Sequence, residues 1–263
     1  MKKIAIHSVP RSGSTWLGEI LNSNPSVKYC FQPLFSYKLK DFLNEGSSQE
    51  DINIFFDLLR ESDDSFINQI EQRNSGILPR FHKNQDITHV AYKEVRYHNI
   101  LDNLLKKDNE IKMILIVRNP VDVINSWVNA PKEFDITWNV YDELMDANSK
   151  NLGRKENFYG LNSWIKTTKK FELLSQSYPS QVFLLNYSTL KKDTIITSKK
   201  LFEFCELDFS DSTHDFIKSS IEIRIKDANS VFRGGATSNI SLDDKIIRLI
   251  KKHVNLEKLS NYL

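Results

Sequence analysis

The chain has 263 residues, of which 40% are hydrophobic, so it is long enough to bury a substantial core and is unlike a disordered protein. Its 36 Lys and Arg against 34 Asp and Glu leave a net charge of +2, which gives no support for nucleic acid as a partner. The two cysteines, Cys30 and Cys205, stand in no metal-binding or redox spacing, and we expect buried thiols in a reducing compartment.

We do not expect the first residues to form a targeting segment. Polar residues and Pro10 interrupt the apolar stretch that begins at Ile4, so we expect no signal peptide. The longest apolar runs are far below the roughly 20 residues that span a bilayer. We therefore expect a cytoplasmic chain without an integral membrane segment.

Residues 4–21 predict a strand, a tight loop and a helix in immediate succession. Pro10 and Gly13 break the strand, and Ser14 and Thr15 are residue types that cap helices. Apolar residues one turn apart then predict an amphipathic helix over residues 15–23. Its free N–H groups, next to the cation of Arg11, predict a site for a phosphate or sulfate, although a tight turn without a ligand remains an alternative.

Further elements follow from apolar periodicity. Strands are predicted at residues 27–31, 89–95, 111–117 and 181–186. Helices are predicted at residues 52–60, 65–72, 98–107, 121–129, 138–144, 161–178, 195–205, 214–219, 242–253 and 256–262. Basic and Gly-containing loops are predicted at residues 74–86 and 230–237.

The strand at residues 111–117 is a nearly continuous apolar run, which is typical of a central parallel strand. Arg118 follows its end, and Pro120 begins the next helix. Strands that alternate with helices predict one α/β domain over residues 1–263, with a mostly parallel central sheet flanked by helices. Arg11 and Arg118 would both lie at the carboxyl edge of the sheet, where such folds bind ligands.

The first loop lacks the lysine of a Walker A sequence, because Gly13 is followed by Ser14, Thr15 and Trp16. With the later run 114–120, Asp122 and Ser126, however, the segment 10–17 closely resembles the two nucleotide-binding motifs of sulfotransferases that use 3′-phosphoadenosine 5′-phosphosulfate (PAPS). Residues 18–22, 24–25 and 31–34 resemble the carbohydrate branch of that family. The resemblance implies an architecture like that of P-loop nucleotide kinases.

The resemblance also implies roles for individual residues. The 5′-phosphosulfate of PAPS would be held by Arg11, Ser12, Gly13, Ser14 and Thr15, and the 3′-phosphate by Arg118 and Ser126. Weaker similarities place Trp16 at the adenine or in the core, and add Tyr187 and Arg233 to the cofactor site. Arg118 could instead only pair with Asp122. Since PAPS carries an activated group, no metal is required.

The base that takes the acceptor proton is harder to assign. Related enzymes of the carbohydrate branch have a glutamate where this chain has Gln32, and an amide cannot act as a base. In the cytosolic small-molecule branch a histidine follows a Lys-Thr pair, in a segment similar to residues 92–95 here. We therefore expect Glu94 to be the base, with Lys93 near the bridging oxygen, Gln32 as a hydrogen-bond donor and His98 in reserve. A structural salt bridge from Glu94 to Lys93 or Arg96 is the alternative.

The predicted function is sulfuryl transfer from PAPS to a hydroxyl, by resemblance on a sugar of a glycolipid, oligosaccharide or surface polysaccharide. A lysine-rich chain without a signal peptide suggests a bacterial enzyme. Aromatic residues of the middle region could stack on sugar rings or belong to the core: Phe134, Trp138, Tyr141, Phe158 and Tyr159. Two alternatives remain open, namely a P-loop kinase with a degenerate loop and a nucleotide-binding regulator that has lost its base.

Overall fold

A central sheet of five strands organises the computed structural model of this chain, which describes residues 1–222 and 241–263. The strands are β1 (Lys2–Ser8), β2 (Val27–Phe31), β3 (His89–Glu94), β4 (Lys112–Val117) and β5 (Val182–Asn186). They are hydrogen-bonded in the order β2-β3-β1-β4-β5, and every pair is parallel. All five strands, including the central apolar run, therefore confirm the prediction of a mostly parallel sheet.

Helices cover both faces of the sheet, because alternate residues of each strand enter different cores. One core joins Ala5, Tyr92 and Leu115 to apolar residues of five helices, which are α2 (Gln49–Arg60), α4 (Leu101–Lys107), α5 (Pro120–Val128), α8 (Leu161–Ser177) and α12 (Asp244–Leu256). The other core joins Ile4, Ile6 and Ile114 to α1 (Ser14–Asn22), α9 (Tyr187–Lys192), α10 (Thr194–Phe204) and α11 (Asp211–Glu222).

Three short helices complete the described chain: α3 (Ile70–Asn74), α6 (Val140–Glu143) and α7 (Asn148–Asn151). Turns of 3-10 helix are formed by Pro33–Phe35, His98–Ile100 and Ser260–Tyr262. In the parts of the chain that the structure describes, no helix combines the length and the apolarity needed to cross a bilayer.

Several boundaries differ from those predicted. The helix predicted at residues 65–72 begins only at Ile70, because the Asp64 side chain accepts hydrogen bonds from the N–H groups of Phe66 and Ile67 and forms a turn there. The helix predicted at 256–262 is replaced by the end of α12 and a 3-10 turn. Helix α9 was not predicted, and the Asn186 side chain caps it by accepting from the Ser188 N–H at 2.9 Å.

The strand order places the nucleotide loops side by side. Strand β1 leads through α1 to the β2 edge, whereas its neighbour β4 leads through α5 to β5 at the opposite edge. A crevice forms beyond the carboxyl ends of two such strands, where the connections leave in opposite directions. The loops after Ser8 and Val117 line this crevice.

Candidate functional site

The loop between β1 and α1 forms a cradle of donors. Arg11 and Gly13 both have left-handed backbone angles, with φ of 67° and 86°, which turn the chain sharply into the helix. The first intrahelical bond runs from the Leu17 N–H to the Gly13 carbonyl at 3.2 Å. The N–H groups of residues 14–16 therefore have no acceptor within the helix, and the helix dipole adds a partial positive charge there.

Position 13 requires glycine for two reasons, its left-handed backbone angle and the lack of room for a side chain. A Cβ atom at this position would lie 2.2 Å from Cε2 of Tyr187, far inside any real contact. Tyr187 is the first residue of α9, directly after β5. The close approach of glycine and ring locks the first loop against the end of the fifth strand.

The loop after β4 is joined directly to this cradle. Arg118 donates from Nη1 to the backbone carbonyl of Arg11 at 3.0 Å, and Arg11 donates from Nε to Oγ of Ser126 at 3.1 Å. Helix α5 is fixed locally by Pro120 at its first turn and by Asn119, whose side chain accepts from the Val121 N–H. The two predicted phosphate-binding units therefore form one connected site.

Arg118 also makes the contact that was considered as the alternative. Its Nη2 lies 3.7 Å from Oδ2 of Asp122, whose side chain is 60% exposed. An exposed pair at this distance contributes little free energy and leaves the guanidinium available to an anion. The guanidinium also lies 4.9 Å from the centroid of the Tyr187 ring, which holds it on the crevice side.

In the loops after β1 and β4, two buried polar atoms lack a hydrogen-bond partner among the described residues. They are Oγ of Ser12, whose residue is fully buried, and Nε of Arg118. Buried donors without acceptors are unfavourable and are usually satisfied by a ligand or water. Both atoms suit the oxygens of a bound phosphate or sulfate.

Aromatic side chains border the cradle. Trp16 packs edge-on against Tyr187, with ring centroids 6.2 Å apart, and donates from Nε1 to Oγ of Ser220 at 3.0 Å. Trp16 is partly buried, so it belongs neither fully to the core nor fully to the surface. Arg233, the remaining predicted cofactor residue, lies outside the described residues.

The carboxyl end of β3 carries the residues predicted for catalysis. Glu94 is fully buried, and its Oε1 accepts from the Leu34 N–H at 2.8 Å, while Oε2 has no partner among the described residues. Burial raises the pKa of the Glu94 carboxyl to about 8. The salt bridge to Lys93 or Arg96 that we considered is not formed in the described structure.

Lys93 and Gln32 lie beside this carboxyl group. The Lys93 ammonium is 4.2 Å from the centroid of the Phe31 ring, and burial lowers its pKa to about 8, against the opposing attraction of Glu94 and Glu133. Gln32 has φ of 41°, donates its N–H to the Lys93 carbonyl at 2.8 Å, and buries Oε1 without a described partner. These residues form a second polar region next to the cradle.

His98 belongs to a buried chain of three side chains. Its Nδ1 lies 3.2 Å from Nδ1 of His7, and Nε2 of His7 lies 3.2 Å from the Tyr92 hydroxyl. Nε2 of His98 is buried without a described partner, and burial lowers the pKa of His98 to about 3. Both rings are therefore neutral near pH 7, so one donates its Nδ1 proton to the other.

The sequence did not reveal the part played by Glu133. Its Oε2 lies 4.0 Å from Nη1 of Arg11, which puts a half-buried carboxylate next to the loop between β1 and α1. Glu133 lies between helices in a region without clear periodicity, so no pattern could have marked it. The sequence also did not reveal Ser220 as the hydrogen-bond partner of Trp16, or Tyr92 as that of His7. Each of these contacts is formed by tertiary packing alone.

Of the two alternatives for the aromatic residues of the middle region, a stacking surface or the core, the structure shows the core for Phe134 and Tyr159. Phe134 and Tyr159 are each only 4% exposed and pack around Trp127, so they belong to the core. Trp138 packs on Phe134, and Tyr141 donates its hydroxyl to Asp243 at 2.6 Å. Phe158 lies against His98, with ring centroids 4.3 Å apart.

The model of the family described as sulfotransferase domain matches residues 1–261. The chain belongs to the sulfotransferase family. The two connected loops after β1 and β4 carry the motifs on which the resemblance to this family was based. No curated protein matches the chain significantly.

Solved structures share the sulfotransferase fold at low sequence identity. Mouse sulfotransferase SULT7A1, complexed with PAP, is 17% identical with a TM-score of 0.56, over 97% of this chain and 83% of its own. A sulfotransferase from Alicyclobacillus acidocaldarius is 11% identical with a TM-score of 0.57, over 99% and 95% of the two chains. Retinol dehydratase in complex with retinol and PAP is 15% identical with a TM-score of 0.53, over 97% of this chain and 80% of its own.

Proposed function

We propose that this sulfotransferase-family protein moves a sulfuryl group from PAPS to a hydroxyl group on a sugar of a glycolipid, oligosaccharide or surface polysaccharide. The observation that carries the proposal is the connection of two anion loops through the hydrogen bond from Arg118 to the Arg11 carbonyl. One anion loop serves many nucleotide proteins, whereas two adjoining anion loops fit a ligand with two separate anionic groups. PAP in the complexes of SULT7A1 and retinol dehydratase supports the same donor.

The donor would be held at both ends. Arg11 and the donors of residues 12–15 would hold the 5′-phosphosulfate, and Arg118 with Ser126 the 3′-phosphate. The unpaired Ser12 hydroxyl and Arg118 Nε would gain acceptors there. Trp16 and Tyr187 would border the adenine, and Arg233 would add a further contact.

The chemistry then depends on removing one proton from the acceptor. The donor supplies an activated sulfuryl group, so the protein needs fixed positive charge and a base rather than a covalent nucleophile. We assign the base to Glu94, which would accept the hydroxyl proton in its ionised form. Its pKa of about 8 lies close to neutral pH, as efficient general base catalysis requires.

Neighbouring residues would support this step. Lys93 would lie near the oxygen that leaves sulfur and stabilise its charge, and Gln32 would donate from its amide to the acceptor or the sulfuryl oxygens. His98 is the reserve base, because its neutral ring has a buried nitrogen without a described partner. A cytoplasmic site in a bacterial cell, before export of the acceptor, fits this role.

A titration of adenosine 3′,5′-bisphosphate and of ATP tests the donor site. We expect stoichiometric binding of the bisphosphate by calorimetry and much weaker binding of ATP, which lacks the 3′-phosphate. Tight binding of ATP with none of the bisphosphate would instead favour a kinase.

A nucleotide-binding regulator is the second candidate function. It is favoured by the burial of Glu94, whose Oε1 is engaged by the Leu34 N–H, and by an amide at Gln32. In that case the bisphosphate would bind as expected, but labelled PAPS would transfer no sulfuryl group to any glycan of an acceptor panel.

A further inference from the structure

We propose that the acceptor carries a negatively charged group, such as a carboxylate or sulfate, and that Arg96 and Lys150 bind it. This inference rests on the proposed function, because it assigns the substrate class of the same cleft. It would narrow the acceptor to an acidic sugar or a similarly charged hydroxyl compound.

Arg96 is placed for this role by the end of β3. It follows Glu94 by two residues, and its guanidinium lies 4.1 Å from the centroid of the Phe35 ring, which holds the side chain over that turn. Nη1 donates to Oδ1 of Asn157, while Nε is buried and has no partner among the described residues. A buried N–H of a permanent cation is a strong site for an anionic oxygen.

Lys150 is connected to Arg96 through the side chain of Asn157. The Asn157 side chain accepts from Arg96 and donates to the Asn151 carbonyl at 3.2 Å, directly next to Lys150. The Lys150 ammonium lies 5.3 Å from the centroid of the Tyr159 ring. Burial lowers the pKa of Lys150, the attraction of Glu133 opposes this shift, and the repulsion of Arg96 adds to it, so Arg96 and Lys150 are near each other.

These two cations have no carboxylate within ion-pair distance in the described part of the chain, although Glu133 attracts Lys150 at longer range. Neither Arg96 nor Lys150 forms an ion pair with any described carboxylate. Glu94 is the nearest acidic residue along the strand, but its raised pKa leaves it mostly uncharged near pH 7. Glu133 faces Arg11 at 4.0 Å. Half-buried positive charge without a partner is costly, which favours an anionic ligand.

The position relative to the donor separates this site from the phosphate loops. Glu94 ends β3, and Arg96 follows two residues later, whereas Arg11 lies on the loop after the neighbouring strand β1. Arg96 is therefore next to the proposed base and on a different loop from the phosphate-binding residues. Partly exposed Phe35 and Phe66 next to it, each 41% exposed, offer an apolar surface for the body of the acceptor.

The test compares two acceptor probes that differ only in a carboxylate, 4-nitrophenyl β-glucuronide and 4-nitrophenyl β-xyloside, with PAPS as donor. We expect kcat/KM to favour the glucuronide by about tenfold or more, the value of one charge-assisted hydrogen bond. Arg96→Gln and Lys150→Met should each reduce this preference, with the larger loss at Arg96. Lys155→Met, the same charge change at an exposed position of the same segment, should preserve it.

A lack of preference in the wild-type protein, or a preference that Arg96→Gln leaves unchanged, would overturn the proposal. If neither probe is turned over, their binding to the protein saturated with the bisphosphate is compared by calorimetry. Equal binding of both probes, or no binding of the glucuronide, would also overturn it. Bisphosphate affinity is measured on the same samples, because its absence contradicts the proposed function, whereas normal affinity without charge preference contradicts only the anionic acceptor.

Discussion

Arg118 reaches from the end of β4 to the backbone of Arg11, where its Nη1 donates to the carbonyl oxygen at 3.0 Å. This bond connects the loops of two adjacent strands, and a second hydrogen bond, from Arg11 Nε to Oγ of Ser126, connects the first loop to helix α5. The distance between the two anion loops is thereby fixed by side chains that are themselves proposed to bind the nucleotide. Removing one of them should affect both ends of the ligand.

We predict that Arg118→Ala weakens binding of adenosine 3′,5′-bisphosphate by at least ~1.5 kcal/mol, the lower value for a hydrogen bond to a charged group. Asp122→Asn is the matched control, because it removes the exposed ion-pair partner of Arg118 and keeps the guanidinium. We expect its affinity to equal or slightly exceed that of the wild type. Unchanged affinity of Arg118→Ala, measured by calorimetry, would exclude direct contact with the 3′-phosphate.

Gly13→Ala should destabilise the fold and abolish nucleotide binding. The substitution forces a side chain into a left-handed backbone and into the Tyr187 ring, so we expect a loss of at least about 2 kcal/mol. Gly153→Ala separates the two effects, since Gly153 also has positive φ but no atom within 4 Å of the added Cβ. Equal losses in the free energy of unfolding for both variants would show that the Tyr187 contact does not matter.

The activity should rise with pH up to about the pKa of Glu94. Burial raises this pKa to about 8, so the ionised form that accepts a proton is the minor form at neutral pH. We expect kcat to increase almost tenfold per unit below that value and to fall above it, because burial also lowers the pKa of Lys93 to about 8 and its ammonium then loses its charge. Glu94→Gln should lose nearly all activity yet bind the bisphosphate normally. Full activity in Glu94→Gln, together with none in Gln32→Ala, would refute our assignment of the base.

The stability of the protein should fall as the pH is lowered from about 6.5. The buried rings of His7 and His98 have lowered pKa values, to about 3 for His98, so the unfolded chain binds protons that the folded chain does not. Each histidine should then contribute a slope of about 1.4 kcal/mol per pH unit.

Denaturant unfolding between pH 7.5 and 5 measures this slope. His98→Asn should reduce this slope by about 1.4 kcal/mol per pH unit, the contribution of one histidine. His82→Gln, at an exposed position, should leave the slope unchanged. Folded Glu94, with its pKa raised to about 8, binds one proton more than the unfolded chain in this range and offsets the slope of one histidine. A stability that is independent of pH would therefore show that the two rings are not both held neutral.

The sheet and the nucleotide loops could be predicted because their signals are local. The apolar run before Arg118 and the break at Gly13 each encode a strand end and a helix start within a few residues. The region from 130 to 160 could not be interpreted in the same way, since its short helices are held by side chains such as Asn151, which bonds to the Tyr159 carbonyl and accepts from its N–H. Such contacts leave no periodicity in the sequence.

In the candidate site, too, the residues with local sequence signals could be predicted, whereas the contacts between separate elements could not. Arg11 and Ser126 were expected to hold opposite ends of one ligand, and the structure joins them by a hydrogen bond that no spacing rule gives. The burial of Glu94 beneath the Leu34 turn depends on a left-handed backbone at Gln32, and this too had no signal in the sequence. Partners that come from separate elements follow only from the packed fold.

Turnover of PAPS labelled in its sulfuryl group is the measurement that tests the central claim most directly. The protein is incubated with labelled PAPS and a glycan panel that includes acidic and neutral sugars, and both products are followed. We predict that label appears on a sugar hydroxyl while an equal amount of adenosine 3′,5′-bisphosphate accumulates, and that Arg118→Ala suppresses both. Bisphosphate binding of normal strength, without transfer of label to any acceptor, would contradict sulfuryl transfer and leave a nucleotide-binding regulator.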